Sequence, residues 1–236
     1  MTDFKNASAT LFHELVQLER SRFFGEKDVD LWMPKFQTDD ARTMCPPFMG
    51  KNYKPGGLII IPINPGGGNG TSEQRNYGDS FLYPIIHEFK SLEFEVGRFY
   101  WETFVPNFKK AKMSYSIYNK MLDILEASET TLDDICYFNF LPYRVIGNRY
   151  PASKSDMSEI IPRCRENFVE PLLTHLRPSI VVTFGKQVDV YIREYWDDFE
   201  FNVVSWNRAR APTRSVMKER EISLERLRRW AEETQF

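Results

Sequence analysis

Four short apolar runs constrain this chain more than any other feature: residues 58–63 (LIIIPI), 135–141 (ICYFNFL), 179–184 (SIVVTF) and 200–205 (EFNVVS). Each is rich in β-branched or aromatic residues and has the length of a buried strand. Helix-like stretches lie between and after them, at 80–90, 113–127, 155–175 and 186–196, with a charged amphipathic stretch at 218–234. Strands alternating with helices predict a short, mainly parallel four-stranded central sheet covered on both faces, a three-layer α/β/α fold.

The chain has 236 residues, 42% apolar and 15% aromatic, enough for one sizeable core and hardly enough for two. The expectation is a single domain over 1–236. Residues 1–55 read as an N-terminal helix, carrying Phe12, Leu15, Val16, Leu18 and Phe23, and then an arm packed on the core. Pro62 cannot donate to a ladder, so it belongs where the first strand ends.

Net charge is −2 and the pI about 6.0, so a nucleic-acid partner would have to be met by a local basic patch. Cys45, Cys136 and Cys164 are too few and too widely spaced for a disulfide framework or a four-cysteine metal site. His13, His87 and His175 have no ligand spacing, and neither a metal nor a cofactor is expected. The first residues, Met-Thr-Asp-Phe-Lys-Asn, lack a basic n-region and an apolar core, and no run is long enough to span a bilayer. A cytoplasmic monomer with no membrane partner is the expectation.

In open α/β sheets, ligands bind beyond the carboxyl ends of the strands. The residues at those ends are Asn64 with Pro65 and Gly66, Asn139 with Pro142 and Arg144, Gly185 with Lys186, and Trp206 with Asn207 and Arg208. Three asparagines meet there by this argument. Taken singly, an asparagine after a strand is a good turn or cap residue.

The loop Gly66-Gly67-Gly68-Asn69-Gly70-Thr71-Ser72 lacks the lysine of a P-loop, and a dinucleotide G-x-G-x-x-G begun at Gly66 would end on Thr71. Both phosphate templates fail. A generic anion nest stays open.

Ile63-Asn64-Pro65-Gly66 resembles the first motif of the uracil-DNA glycosylase superfamily, in particular its mismatch-specific and single-strand-selective branches. A second stretch is similar as well. Tyr137-Phe138-Asn139-Phe140-Leu141-Pro142-Tyr143-Arg144 leads through Asn148-Arg149 and a helix to Leu176-Arg177-Pro178-Ser179 and the run ending at Gly185-Lys186. The likeness spans roughly residues 56–230 and implies that fold.

The resemblance also implies roles. Asn64 would hold the attacking water, Tyr77 would stack on the flipped base and Asn139 would read its edge, with Pro65 and Gly66 lining the pocket. The family's third motif ends in His-Pro-Ser or Asn-Pro-Ser. This chain has Ser205-Trp206-Asn207-Arg208-Ala209-Arg210-Ala211-Pro212, which keeps an asparagine and replaces the rest with a basic loop.

From Arg208 to Arg229 there are eight Lys/Arg, at 208, 210, 214, 218, 220, 226, 228 and 229, against three Glu. Such a segment suits phosphate contacts, with Arg208, Arg210, Arg214 and Lys186 as the DNA-binding candidates. A solvated helix face with i,i+4 pairs is the alternative for 218–229.

Hydrolysis of an N-glycosidic bond in DNA requires the base to leave the stack. An amide is no general base, yet the Asn64 oxygen can orient a water toward C1′. Asn207 and backbone N–H groups would stabilise charge on the departing base, and one such donor is typically worth about 3–4 kcal/mol. Asp79 offers a carboxylate for the water or the sugar cation, or simply caps a turn.

The uracil-strict branch shuts out C5 substituents with a bulky tyrosine, where this chain has Gly66. That difference implies room for a C5-modified pyrimidine. Antiviral bacterial members of the superfamily remove glucosylated hydroxymethylcytosine from phage DNA, and the pattern is compatible with that role. Uracil or mismatch repair competes with it. A non-catalytic DNA-binding or nucleotide-binding module remains a third reading.

Overall fold

Leu58, Ile59, Ile60, Ile61 and Pro62 are all buried, which is what a five-residue strand with no polar side chain requires of its sheet. In the computed structural model, which describes residues 2–25, 44–63, 77–114, 116–143, 154–195, 200–207, 209 and 212–234, they form one strand of a five-stranded sheet. The strands are β1 (Phe48–Met49), β2 (Leu58–Pro62), β3 (Cys136–Tyr137), β4 (Ile180–Phe184) and β5 (Asn202–Trp206), in the order β1-β3-β2-β4-β5. The pairs β2–β3, β2–β4 and β4–β5 are parallel. Pro62 closes β2 opposite Phe184, where a missing N–H costs the ladder least.

The expected parallel sheet is therefore present, with two differences. A fifth, two-residue strand, β1, joins at the edge beside β3, and β3 itself is shorter than the apolar run that signalled it. Every residue from Ile135 to Tyr143 is buried, yet only Cys136 and Tyr137 form a ladder. Apolarity there reports burial of the chain and not strand length.

The chain forms two compact units, one from Met1–Phe48, Asn64–Tyr115 and Phe138–His175, the other from Met49–Ile63, Ser116–Tyr137 and Leu176–Phe236. The second holds β2 to β5 with α6 (Ser116–Ala127), α9 (Lys186–Tyr195) and α10 (Arg214–Thr234). Successive strand residues face opposite ways. Thr183 donates its hydroxyl to Asp189 of α9 at 3.0 Å. Trp206, in register with Phe184, instead meets Arg220 of α10. The two helices thus cover opposite faces of β4 and β5, giving the α/β/α layering. Arg193 completes the α9 side, reaching Asp189 at 3.0 Å and the Val203 carbonyl at 3.1 Å. On the other face, α10 is anchored by Ser223 on the Ser205 carbonyl at 2.7 Å and by the Trp230 indole on Ser179 at 2.8 Å.

The first unit is helical, with α1 (Thr2–Gln17), α2 (Ser21–Phe24), α3 (Tyr77–Ser91), α4 (Val96–Phe99), α5 (Val105–Ser114), α7 (Lys154–Cys164) and α8 (Glu170–Leu176). α1 is the expected N-terminal helix, and it buries Phe12, Leu15 and Val16. A chain of aromatic contacts forms its core: Phe12 on Tyr100, Tyr100 on Phe104, Phe104 on Phe108, and Phe108 stacked on Phe48 at 4.6 Å.

Two π-helical turns interrupt the helices, Tyr100–Phe104 before α5 and Arg165–Val169 before α8. Each ends two positions before a proline, Pro106 and Pro171. Proline cannot bond to the i−4 carbonyl and its ring strikes that carbonyl. Widening the turn just before it, with Val105 bonded to Tyr100 and Glu170 to Arg165, lets the helix continue.

Candidate functional site

Because β2 to β5 run parallel, their carboxyl ends share one edge of the sheet, and the chain leaves that edge toward the candidate residues. Asn139 comes two residues after β3 and Asn64 two residues after β2; Lys186 comes two residues after β4, and Asn207 follows β5 directly. Asn64, Pro65, Gly66, Arg208 and Arg210 lie outside the described residues, as do the side chains of Tyr77 and Asp79, whose backbone forms the first turn of α3.

Asn139 is 6% exposed, sits between the buried Phe138 and Phe140, and its Oδ1 has no hydrogen-bond partner among the described residues. Leaving a buried amide oxygen unpaired costs about 1–3 kcal/mol, so such an atom calls for a ligand, a water or another reason to persist. Three residues on, the Pro142 carbonyl accepts the Cys45 N–H at 3.1 Å. Next, Tyr143 packs edge-on against Phe23 and Phe24, and burial pushes its hydroxyl well above the usual tyrosine range, only partly opposed by the nearby Arg20.

Asn207 is held on several sides. Its Nδ2 donates to Glu219 Oε2 at 2.9 Å, and its Oδ1 accepts the Ala209 N–H at 3.1 Å, an Asx-type turn. The Arg220 guanidinium closes the arrangement, with Nε on the Asn207 carbonyl and Nη2 on the Ala209 carbonyl, both at 2.8 Å, and its carbon 5.5 Å from the centre of the Trp206 ring. Trp206 is buried and its indole N–H has no hydrogen-bond partner among the described residues. Asn207 therefore orders the β5–α10 turn whatever else it does.

Lys186 and Arg214 are exposed and open α9 and α10. Of the basic residues counted in the sequence, Arg220 is spent on carbonyls, while Arg228 pairs with Glu221 at 3.1 Å and Arg229 with Glu225 at 3.8 Å. The solvated-face alternative thus holds for part of α10. Arg214, Lys218 and Arg226 form no ion pair among the described residues.

His13 bonds Gln17 and meets the edge of Phe89; His175 stacks on Phe4 and bonds Ser8. Among the described residues no three His, Cys, Asp or Glu side chains converge as metal ligands, and no helix is long and apolar enough to cross a membrane.

Lys112 was missed from the sequence. It is 2% exposed in α5, and burial holds its ammonium well below the usual lysine range, with the Cys45 thiol acting weakly the other way. Its signal was the i,i+4 series Phe104, Phe108, Lys112, which puts a lysine on the apolar face. The Glu219–Asn207–Arg220 arrangement had no comparable signal, because it joins a strand end to the middle of a helix.

Fold and strand-end residues together define an α/β protein with a mostly parallel sheet and polar residues following the carboxyl ends of its strands. No protein-family model matches the chain, and no curated protein matches it either.

Proposed function

We propose that this protein is a DNA glycosylase that hydrolyses the N-glycosidic bond of a flipped, C5-modified pyrimidine, such as glucosylated hydroxymethylcytosine in phage DNA, and leaves an abasic site as antiviral defence. One observation carries the reading: Asn139, just beyond the end of a parallel strand, buries an amide oxygen that has no hydrogen-bond partner among the described residues. A base edge offering an N–H donor, such as the exocyclic amine of a cytosine, would satisfy it, and that gain would help offset the cost of unstacking.

In this scheme Asn64 orients a water at C1′. The water oxygen bonds to C1′ as the C1′–N bond breaks, the bonding pair leaves on the base, and the water's proton passes to the base or to solvent. Asn207, with one N–H on Glu219, keeps the other for the leaving base. Tyr77 stacks, Gly66 leaves room for the C5 substituent, and Asp79 supports the water or the sugar cation.

The test compares wild type with Asn64→Ala on duplexes containing either uracil or glucosylated hydroxymethylcytosine, scored by alkali-labile abasic sites. Wild type is expected to cleave the modified duplex and Asn64→Ala to lose at least about a hundredfold. Equal cleavage by both proteins would exclude catalysis through Asn64. Release of uracil alone would move the protein to base-excision repair.

A further inference from the structure

We infer that one ridge of α10, formed by Arg214, Lys218 and Arg226, is a track for the phosphodiester backbone of DNA. The inference rests on the DNA-directed reading above and narrows it from a charged segment to three side chains. These residues stand at i, i+4 and i+12, with Ile222 completing the row at i+8, so they lie along a single helical ridge about 18 Å long. All three are exposed.

What separates them from their neighbours is the use of the acids. Glu219 is taken by Asn207, Glu221 by Arg228 and Glu225 by Arg229. The three acids between Arg214 and Arg229 are thus committed elsewhere, and the ridge cations stay uncompensated among the described residues. Arg220, equally basic on paper, faces the β5–α10 turn and the Trp206 ring. The helix is also polar along its length. Its far end carries Glu232 and Glu233, whereas the cations begin at Arg214, the first residue of α10 and eight positions after the last residue of β5. A polyanion is therefore drawn toward the sheet edge where the candidate residues leave the strands.

The test uses the full-length protein and a fluorescent duplex of random sequence with no modified base. Wild type, the triple variant Arg214→Gln/Lys218→Gln/Arg226→Gln and the control Arg228→Gln/Arg229→Gln are titrated at several salt concentrations. The slope of log K against log salt is expected to become shallower by about 0.9 for each phosphate that the ridge variant no longer neutralises, with affinity falling roughly tenfold or more, and to stay unchanged in the control. A control that changes as much per charge as the ridge variant would show that only net charge matters and would overturn the assignment. So would a ridge variant with the wild-type slope. Base release measured in parallel separates the two ideas: ridge-dependent binding without abasic sites removes the glycosylase, and base release with ridge-independent binding removes the ridge.

Discussion

Arg220 Nε donates to the Asn207 carbonyl at 2.8 Å while Nη2 of the same guanidinium takes the Ala209 carbonyl, so one planar fork ties both ends of the turn that follows β5. A lysine cannot reproduce this, because its ammonium is a point charge without the fork and stacks less well on Trp206. Arg220→Lys is expected to lower stability by about 1–2 kcal/mol, a fall in Tm of roughly 2–4 °C per kcal/mol, while leaving the salt dependence of DNA binding as in wild type. A shallower salt slope with unchanged Tm would instead make Arg220 a phosphate contact.

Asn139 puts stability and function in opposition. Replacing it by leucine, of similar size and with no group to satisfy, is expected to stabilise the protein by about 1 kcal/mol in urea unfolding. Single-turnover base release should fall at least roughly tenfold, the equivalent of one net hydrogen bond in the transition state. A residue serving only as a buried turn former would show the reverse, lower stability with activity retained.

Gly50 follows β1 and donates its N–H to the Ile135 carbonyl at 2.9 Å, extending the pairing of β1 with β3. A Cβ at Gly50 would lie well inside van der Waals contact of the Leu132 and Asp133 carbonyl oxygens, which are backbone and cannot rotate away. Gly50→Ala is expected to cost about 1–3 kcal/mol in chemical denaturation. Gly56, by contrast, has open space where a Cβ would sit but a φ of +90°. There alanine meets backbone strain with no clash.

The strands were legible where period and composition agreed. The runs at 58–63, 179–184 and 200–205 became β2, β4 and β5 within a residue or two. β1 was hidden because Pro46 and Pro47 precede it and make Phe48–Met49 look like the tail of a loop. The helices from Val96 to Ser114 were missed for a related reason. Pro106 is a residue that ordinarily ends a helix, yet the π turn at Tyr100–Phe104 lets the helix pass it. The strand-end residues could be named from the sequence because a parallel sheet collects its carboxyl ends at one edge. Their bonding could not: nothing local told that Glu219 and Arg220 would hold Asn207, or that Asn139 would find no partner for its amide oxygen among the described residues.

Lys112 gives a prediction about pH. Burial lowers its pKa well below that of the unfolded chain, so between the folded value and the ordinary lysine value near 10.4 the unfolded state binds more protons. Stability from this group is therefore present at high pH and is lost as pH falls through that window, with a slope of up to about 1.4 kcal/mol per pH unit. Lys112→Met keeps most of the side-chain volume at this buried position and removes the titration. Urea unfolding from about pH 6 to about pH 8, below the range in which the buried Cys136 and Cys164 thiols, raised by burial, act in the opposite sense, is expected to show wild-type stability rising with pH and the variant flatter over the same range. If the rise persists in Lys112→Met, another buried group drives it, and the amine of Lys112 is not the one whose proton is lost on folding.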